Sequence, residues 1–215
     1  MLELNGLDLT AEGLTRIAGG EEVSLNPASL ALVLENRAVI DRILAEGRTV
    51  YGINTGFGQF ATVVIAPEQL QQLQLNLIRS HAAGVGEPLP PDQTRALMAA
   101  RINCLLRAHS GIRPEPIQLL AACLNKNVLP VIPSQGSVGA SGDLAPLAHM
   151  ALLLVGEGLA WKDETQMPGA EVLKAAGLDP IQLQAKEGLA LINGTQLITS
   201  LGCLALQRLR DLTAL

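Results

Sequence analysis

Gly136-Ser137-Val138-Gly139-Ala140-Ser141-Gly142-Asp143-Leu144-Ala145-Pro146 runs a glycine-rich bend into the start of a helix, and the rest of the chain is organised around that junction. Asp143 is a good N-cap residue, and Pro146 falls in the first turn, where a missing N–H costs nothing. The helix expected over 143–157 therefore aims its backbone N–H groups and the positive end of its dipole back at residues 140–143. Gly136, Gly139 and Gly142, spaced three apart, supply unusual φ values and let backbone atoms approach where a Cβ would block them. In a tight bend the Gly142 nitrogen can attack the Ala140 carbonyl carbon. Loss of one water from the ring and one from Ser141 then leaves an exocyclic methylidene, an electrophile made from the chain alone.

Three other uses of such a loop compete with that chemistry. A phosphate-binding loop requires a Lys-Ser/Thr pair after the last glycine, and Asp143-Leu144 puts a negative charge there instead. A nucleophile elbow requires Gly-x-Ser-x-Gly, whereas Ser141 is followed at once by Gly142 and Asp143. A plain glycine-rich turn capping the next helix stays open, because such turns are common.

Helix punctuation recurs from end to end, so the expected fold class is mainly α, a helical bundle with a few short β segments. Asn26-Pro27 reads as an N-cap with proline at the first helical position, and Leu30, Val33, Leu34, Ile40 and Ile43 repeat at helical spacing until Gly47. Pro67-Glu68 opens a second helix, with Leu70, Leu73, Leu77 and Ile78 on one face and Gly84 at its end. Pro91-Asp92 opens a third, running to about Ala108, and residues 114–125 form a fourth. Short extended pieces are expected at 49–54, 61–65 and around Trp161. From about Lys186 to Leu215 the helical period meets no stop signal and is apolar on most sides, as for a helix inside a bundle. The pattern ends unfinished, so the chain is expected to be part of a longer bundle.

A chain of 215 residues can bury a real core without disulfides. Apolar residues make up 48% and charged residues 16%, a profile of burial rather than disorder. A net charge of −5 with no basic run argues against nucleic-acid or anionic-membrane partners. Cys104, Cys123 and Cys203 lack metal or redox spacing and are expected as three buried free thiols, with no metal site. The start, Met1-Leu2-Glu3-Leu4-Asn5, lacks the basic and apolar regions of a secretory signal, and the greasy run from Leu147 to Val155 is too short to span a bilayer. A cytoplasmic location is expected.

Four ordered segments narrow the reading: Tyr51-Gly52-Ile53-Asn54-Thr55-Gly56-Phe57-Gly58, Ser80-His81-Ala82-Ala83-Gly84, Gly136 through Pro146, and Leu191-Ile192-Asn193-Gly194-Thr195-Gln196. In this order they resemble the successive signatures of the aromatic amino acid ammonia-lyases, along the whole chain. The resemblance implies the amino-terminal part of the fumarase/aspartase-like ammonia-lyase fold, with 1–215 as its cofactor-forming domain and the carboxy-terminal helical bundle absent. It implies that Ala140, Ser141 and Gly142 cyclise autocatalytically into methylidene-imidazolone (MIO), a covalent prosthetic group needing no external cofactor. Gly136, Gly139 and Asp143 would position the loop. Such a group suits the reaction, in which a poor leaving group departs from an α-amino acid and a non-acidic β-hydrogen is removed.

By the same resemblance Tyr51, the only tyrosine, takes the β-proton. Phenols ordinarily ionise near pH ~10, so that role needs neighbours that stabilise a phenolate; a packed tyrosine with a satisfied hydroxyl is the plainer alternative. Ser80 and His81 form a polar pair where the phenylalanine and tyrosine enzymes typically carry an apolar side chain. The pair suits an imidazole and favours L-histidine as substrate and urocanate as product, although a histidine neutralising a helix end is an alternative. Asn193, expected inside the last helix, would contact the MIO ring or the substrate amine, its amide both donating and accepting; buried hydrogen bonding alone is the alternative. His109 and His149 fit no ligand spacing and are expected to be structural. Family active sites are assembled from several subunits of a homotetramer, with a second tyrosine, an arginine for the substrate carboxylate and a glutamate from the portion absent here. The chain is therefore expected to self-cyclise without turnover. The alternatives are a non-catalytic self-processing or folding module, or a related tyrosine or phenylalanine lyase or aminomutase.

Overall fold

The computed structural model describes residues 1–139 and 142–214. Its elements run β1 (Leu2–Leu4), α1 (Ala11–Ala18), β2 (Val23–Leu25), α2 (Pro27–Ala45), α3 (Leu70–His81), β3 (Val85–Pro88), α4 (Pro91–Leu105), α5 (Pro114–Asn125), β4 (Leu129–Pro130), β5 (Pro133–Gln135), α6 (Leu144–Leu154), β6 (Leu159–Lys162), β7 (Thr165–Pro168), α7 (Gly169–Ala175), α8 (Glu187–Ile192) and α9 (Gln196–Thr213). The fold is mainly helical, as expected. The Asn26 side chain accepts from the Ser29 N–H at 3.0 Å, with Pro27 in the first turn of α2. Prolines likewise open α4 and α5, where the absent N–H would have had no helical partner. Helix α4 stops at Leu105 rather than Ala108, because Ala108 turns left-handed at φ 59°.

The core centres on α4, whose Ala96, Leu97, Met98, Ala99 and Ile102 are fully buried against α1, α5 and α9. Helices α5 and α6 add Ile117, Leu120, Leu124, Leu147, Met150 and Leu154, each of the larger side chains contributing about 1.5–3 kcal/mol by leaving water. Leu144–Leu154 is thus the buried helix its greasy sequence implies. Among the described residues three small sheets accompany the helices: β1 parallel to β2, β3 antiparallel to β5, and antiparallel β4-β6-β7.

Several expectations are corrected. Only the extended piece around Trp161 becomes a strand, β6. Residues 49–54 curl into turns because the Asn54 side chain bonds the Val50 N–H and the Arg48 carbonyl, both at 2.8 Å, and 61–65 contributes one bridge, Thr55 to Val64. Helix α2 buries Val33 and Ile40 but leaves Leu32 and Leu34 in solvent. Of the cysteines only Cys123 is buried, which pushes its thiol up to about 12; Cys104 is exposed and Cys203 intermediate. The last helix is not continuous. The stretch Glu187–Thr213 is long and apolar enough to cross a bilayer by composition, yet the chain breaks at 193–195 into α8 and α9. Asn193 lies at the end of α8, with φ −88° and ψ 108°, and not mid-helix.

Candidate active site

The glycine loop is stitched to that break. The Asp143 N–H donates to the Gly194 carbonyl at 2.6 Å. The Asp143 carboxylate is fully buried, yet it makes no capping bond to its own helix. One oxygen accepts from Ser137 Oγ at 2.6 Å and the other from the Ile198 N–H at 3.0 Å. The expected cap of 143–157 is therefore corrected: Asp143 caps α9, satisfying one of its unpaired first-turn donors at the end where the dipole favours an anion.

Gly142 holds φ 126°, and a Cβ there would lie 2.8 Å from the Gly194 oxygen. Its N–H donates to the Gly139 carbonyl at 3.0 Å, pinning the chain on either side of Ala140 and Ser141. Ala140 and Ser141 themselves lie outside the described residues. Gly136 does not have a positive φ, unlike Gly139 and Gly142. It permits close approach, since a Cβ would sit 3.2 Å from Ala145 Cβ and 3.3 Å from Gly84 Cα.

Through Gly84 the loop meets the end of α3. His81 Nδ1 lies 2.8 Å from the Leu77 carbonyl and 3.1 Å from Ser80 Oγ, which donates to the same carbonyl at 2.9 Å. A carbonyl only accepts, so Nδ1 carries a proton, and in the neutral ring Nε2 is the acceptor. Ser80 and His81 line an open cavity of about 530 Å³ with Phe57, Phe60, Leu73 and Leu77. The Gly84 N–H donates to His149 Nε2 at 3.1 Å, and burial lowers the His149 pKa, so this histidine serves the fold as a neutral acceptor.

Tyr51 packs edge-to-face on Phe57, with ring centres 6.2 Å apart, and is 57% exposed. Among the described residues its hydroxyl has no hydrogen-bond partner. The adjoining Gly52 approaches α8, where a Cβ would lie 2.9 Å from Leu189 Cδ2. The Asn193 side chain is exposed, which removes buried hydrogen bonding as its sole purpose. The four sequence segments are thus linked through the cavity that Phe57 shares with Ser80 and His81, the Gly84–Gly136 approach and the Gly142–Gly194 junction.

Two groups escaped the sequence reading. Arg101, 2% exposed, donates through Nη2 to the Ala190 and Asn193 carbonyls, the latter at 3.0 Å, and through Nη1 to Gln196 Oε1 at 2.6 Å. Burial pushes its pKa down to about 10. Its signal was a charge four residues from both Leu97 and Leu105, on the apolar face of α4. Glu187, fully buried, accepts from Arg113 Nε at 2.8 Å and from the Arg113 and Gln184 N–H groups, with Arg37 at 3.9 Å, anchoring the start of α8. That bond raises the Arg113 pKa.

A family model described as aromatic amino acid lyase matches residues 9–215. The histidine ammonia-lyase of Gloeobacter violaceus is 51% identical over 215 residues, which is 100% of this chain and 42% of that protein. The human histidine ammonia-lyase is 51% identical over 209 residues, 96% of this chain and 32% of that one. The crystal structure of histidine ammonia-lyase from Trypanosoma cruzi superposes with a TM-score of 0.92 at 46% identity, covering 98% of this chain and 40% of that one. The chain spans less than half the length of these relatives. With its four signature segments drawn to one place and a family match over nearly its whole length, the chain belongs to the aromatic amino acid lyases.

Proposed function

We propose that this chain carries the MIO-forming side of a histidine ammonia-lyase, a carbon–nitrogen lyase that releases ammonia from L-histidine and leaves urocanate. The observation that carries this reading is the junction of Gly142–Asp143 with Gly194, in a loop whose Gly136 packs on Gly84, three residues after His81. The residues suit a backbone-derived group: Gly142 occupies a left-handed φ with no room for a Cβ, and the buried Asp143 carboxylate ties both flanks. Residues Ala140, Ser141 and Gly142 would form it. The Gly142 nitrogen releases the Gly139 carbonyl and bonds to the Ala140 carbonyl carbon; one water leaves with that carbonyl's oxygen and a second with the Ser141 hydroxyl. Once formed, the group supplies an electrophile for the substrate. The remaining roles fall to the chain's side chains. His81 Nε2 accepts from the substrate imidazole N–H, the Asn193 amide orients the amine, and the Tyr51 phenol takes the β-proton. The reading implies a cytoplasmic homotetramer in which residues 1–215 are the loop-bearing portion, and negligible turnover by these residues alone, because substrate positioning is a large part of such catalysis.

Intact-mass measurement tests the first step. The chain is expected to weigh two waters less than its encoded sequence, and Ser141→Ala to keep its full encoded mass with unchanged circular dichroism; an unprocessed native chain would sink the proposal. Urocanate formation at relative-like rates by the purified chain would overturn the expected lack of turnover. Millimolar histidine should shift His81 resonances where phenylalanine does not, and equal shifts would favour a phenylalanine or tyrosine lyase or aminomutase.

A further inference from the structure

Arg101 is an expensive residue for its place. A buried guanidinium loses its hydration, and among the described residues it gains no carboxylate in return. A methionine would fill the same part of α4 without that penalty. What the guanidinium has is a set of neutral acceptors lying on both sides of the 193–195 break: the Ala190 and Asn193 carbonyls at the end of α8, and the Gln196 side chain at the first residue of α9. Its planar fork reaches all three at once, which a point-charge ammonium cannot do. The α8 carbonyls are end-of-helix acceptors without intrahelical partners, where a cation is favoured.

The break it spans faces the loop. Gly194 has no space for a Cβ, which would meet Arg101 Nη1 and Gln196 Oε1, so the guanidinium packs directly on the backbone of the break. On its other side, the Gly194 carbonyl receives the Asp143 N–H, and four residues on, the Ile198 N–H reaches the Asp143 carboxylate. We propose that Arg101 is a positioning residue: by clamping the α8–α9 break it sets the Gly194 carbonyl and the α9 amino terminus against which Gly142 and Asp143 are held. Arg101 touches neither the loop nor a substrate in this role. The link to cyclisation rests on the reading of residues 140–142 as the MIO precursor; the link to the Asp143 anchor does not.

The experiment compares Arg101→Met, Arg101→Lys and Gln196→Met with the native 215-residue chain, by amide hydrogen exchange and intact mass. In Arg101→Met the Asp143 and Ile198 amides should exchange at least about tenfold faster, with α5 amides unchanged. Arg101→Lys should fall between, and free guanidinium at millimolar concentration should restore part of the protection in Arg101→Met. Gln196→Met removes one of the three acceptors and should show a smaller increase at the same amides, which decides the matter if Arg101→Met does not fold. Native protection at Asp143 and Ile198 in a folded Arg101→Met, or in Gln196→Met, overturns the proposal. Mass separates the two readings: an unprocessed native chain defeats the MIO reading alone, while exchange still decides Arg101. Full two-water loss in Arg101→Met, at the native rate, would overturn its part in cyclisation.

Discussion

At the Gly142–Gly194 junction, Asp143 is fully buried, Arg101 is 2% exposed, and hydrogen bonds tie the loop to the α8–α9 break at Gly194 and to α9 at Ile198. Around Tyr51 the chain is held differently: Gly52 packs on α8 and Ile53, Asn54 and Thr55 are buried, but Tyr51 is 57% and Phe60 65% exposed, and the Tyr51 ring meets its neighbour Phe57 edge-on. The two regions belong to one candidate site, and the contrast separates its two tasks. Bending a backbone until one amide can attack another demands fixed flanks, and this chain fixes the buried Gly142–Asp143 flank with its own residues, while Val138 on the other flank is 87% exposed. Removing a proton from a substrate demands that the substrate be enclosed, and the groups proposed for that face open solvent. The proteins it resembles are more than twice as long.

The sharpest way to break the contrast is to attack the packed side. Glu187→Ala leaves the buried Arg37 and the partly buried Arg113 without their shared carboxylate and is expected to cost about 3–5 kcal/mol, seen as a lower urea midpoint. Gly142→Ala forces a side chain into a left-handed conformation and against the Gly194 oxygen. It should cost about 1–3 kcal/mol and prevent the two-water mass loss; a processed Gly142→Ala chain would show that the junction is looser than its geometry implies.

Smaller effects test the border between the regions. Burial holds the His149 pKa below its ordinary 6.5, so the neutral ring favours the fold. Its contribution is complete above the unfolded value and is lost as pH falls through that value toward the folded one. Stability should therefore decline as the solution is acidified below pH 6.5, and His149→Gln, which keeps an acceptor for the Gly84 N–H, should flatten that decline. The smallest effect belongs to the open side. Tyr51→Phe removes a hydroxyl with no partner among the described residues and should change stability by less than about 0.5 kcal/mol; a larger loss by thermal melting would mean that the segment is tied down after all.

Much of this was legible beforehand. Asn26-Pro27 and residues 114–125 mark helices by capping and proline chemistry, which act over a few neighbours, and α2 and α5 begin where those marks stand. The Tyr51, Ser80-His81, glycine-loop and Asn193 segments were visible as motifs. The break between α8 and α9 was not, because Leu191, Ile192, Leu197 and Leu204 keep a helical apolar period across it. Nor was the partner of Asp143, which local rules assign to its own helix and the fold gives to Ile198, 55 residues away.

Sequence alone determined the helical class, most helix starts and the presence of a glycine-rich loop with the tripeptide Ala140-Ser141-Gly142, since these follow from propensity, caps and residue identity within short windows. Only the tertiary structure decided that Asp143 caps α9, that Asn193 ends a helix, and that a buried arginine 92 residues from Asn193 clamps the break. Those outcomes depend on which unpaired carbonyls and amides meet once the core around α4 has closed, and no local pattern encodes that meeting.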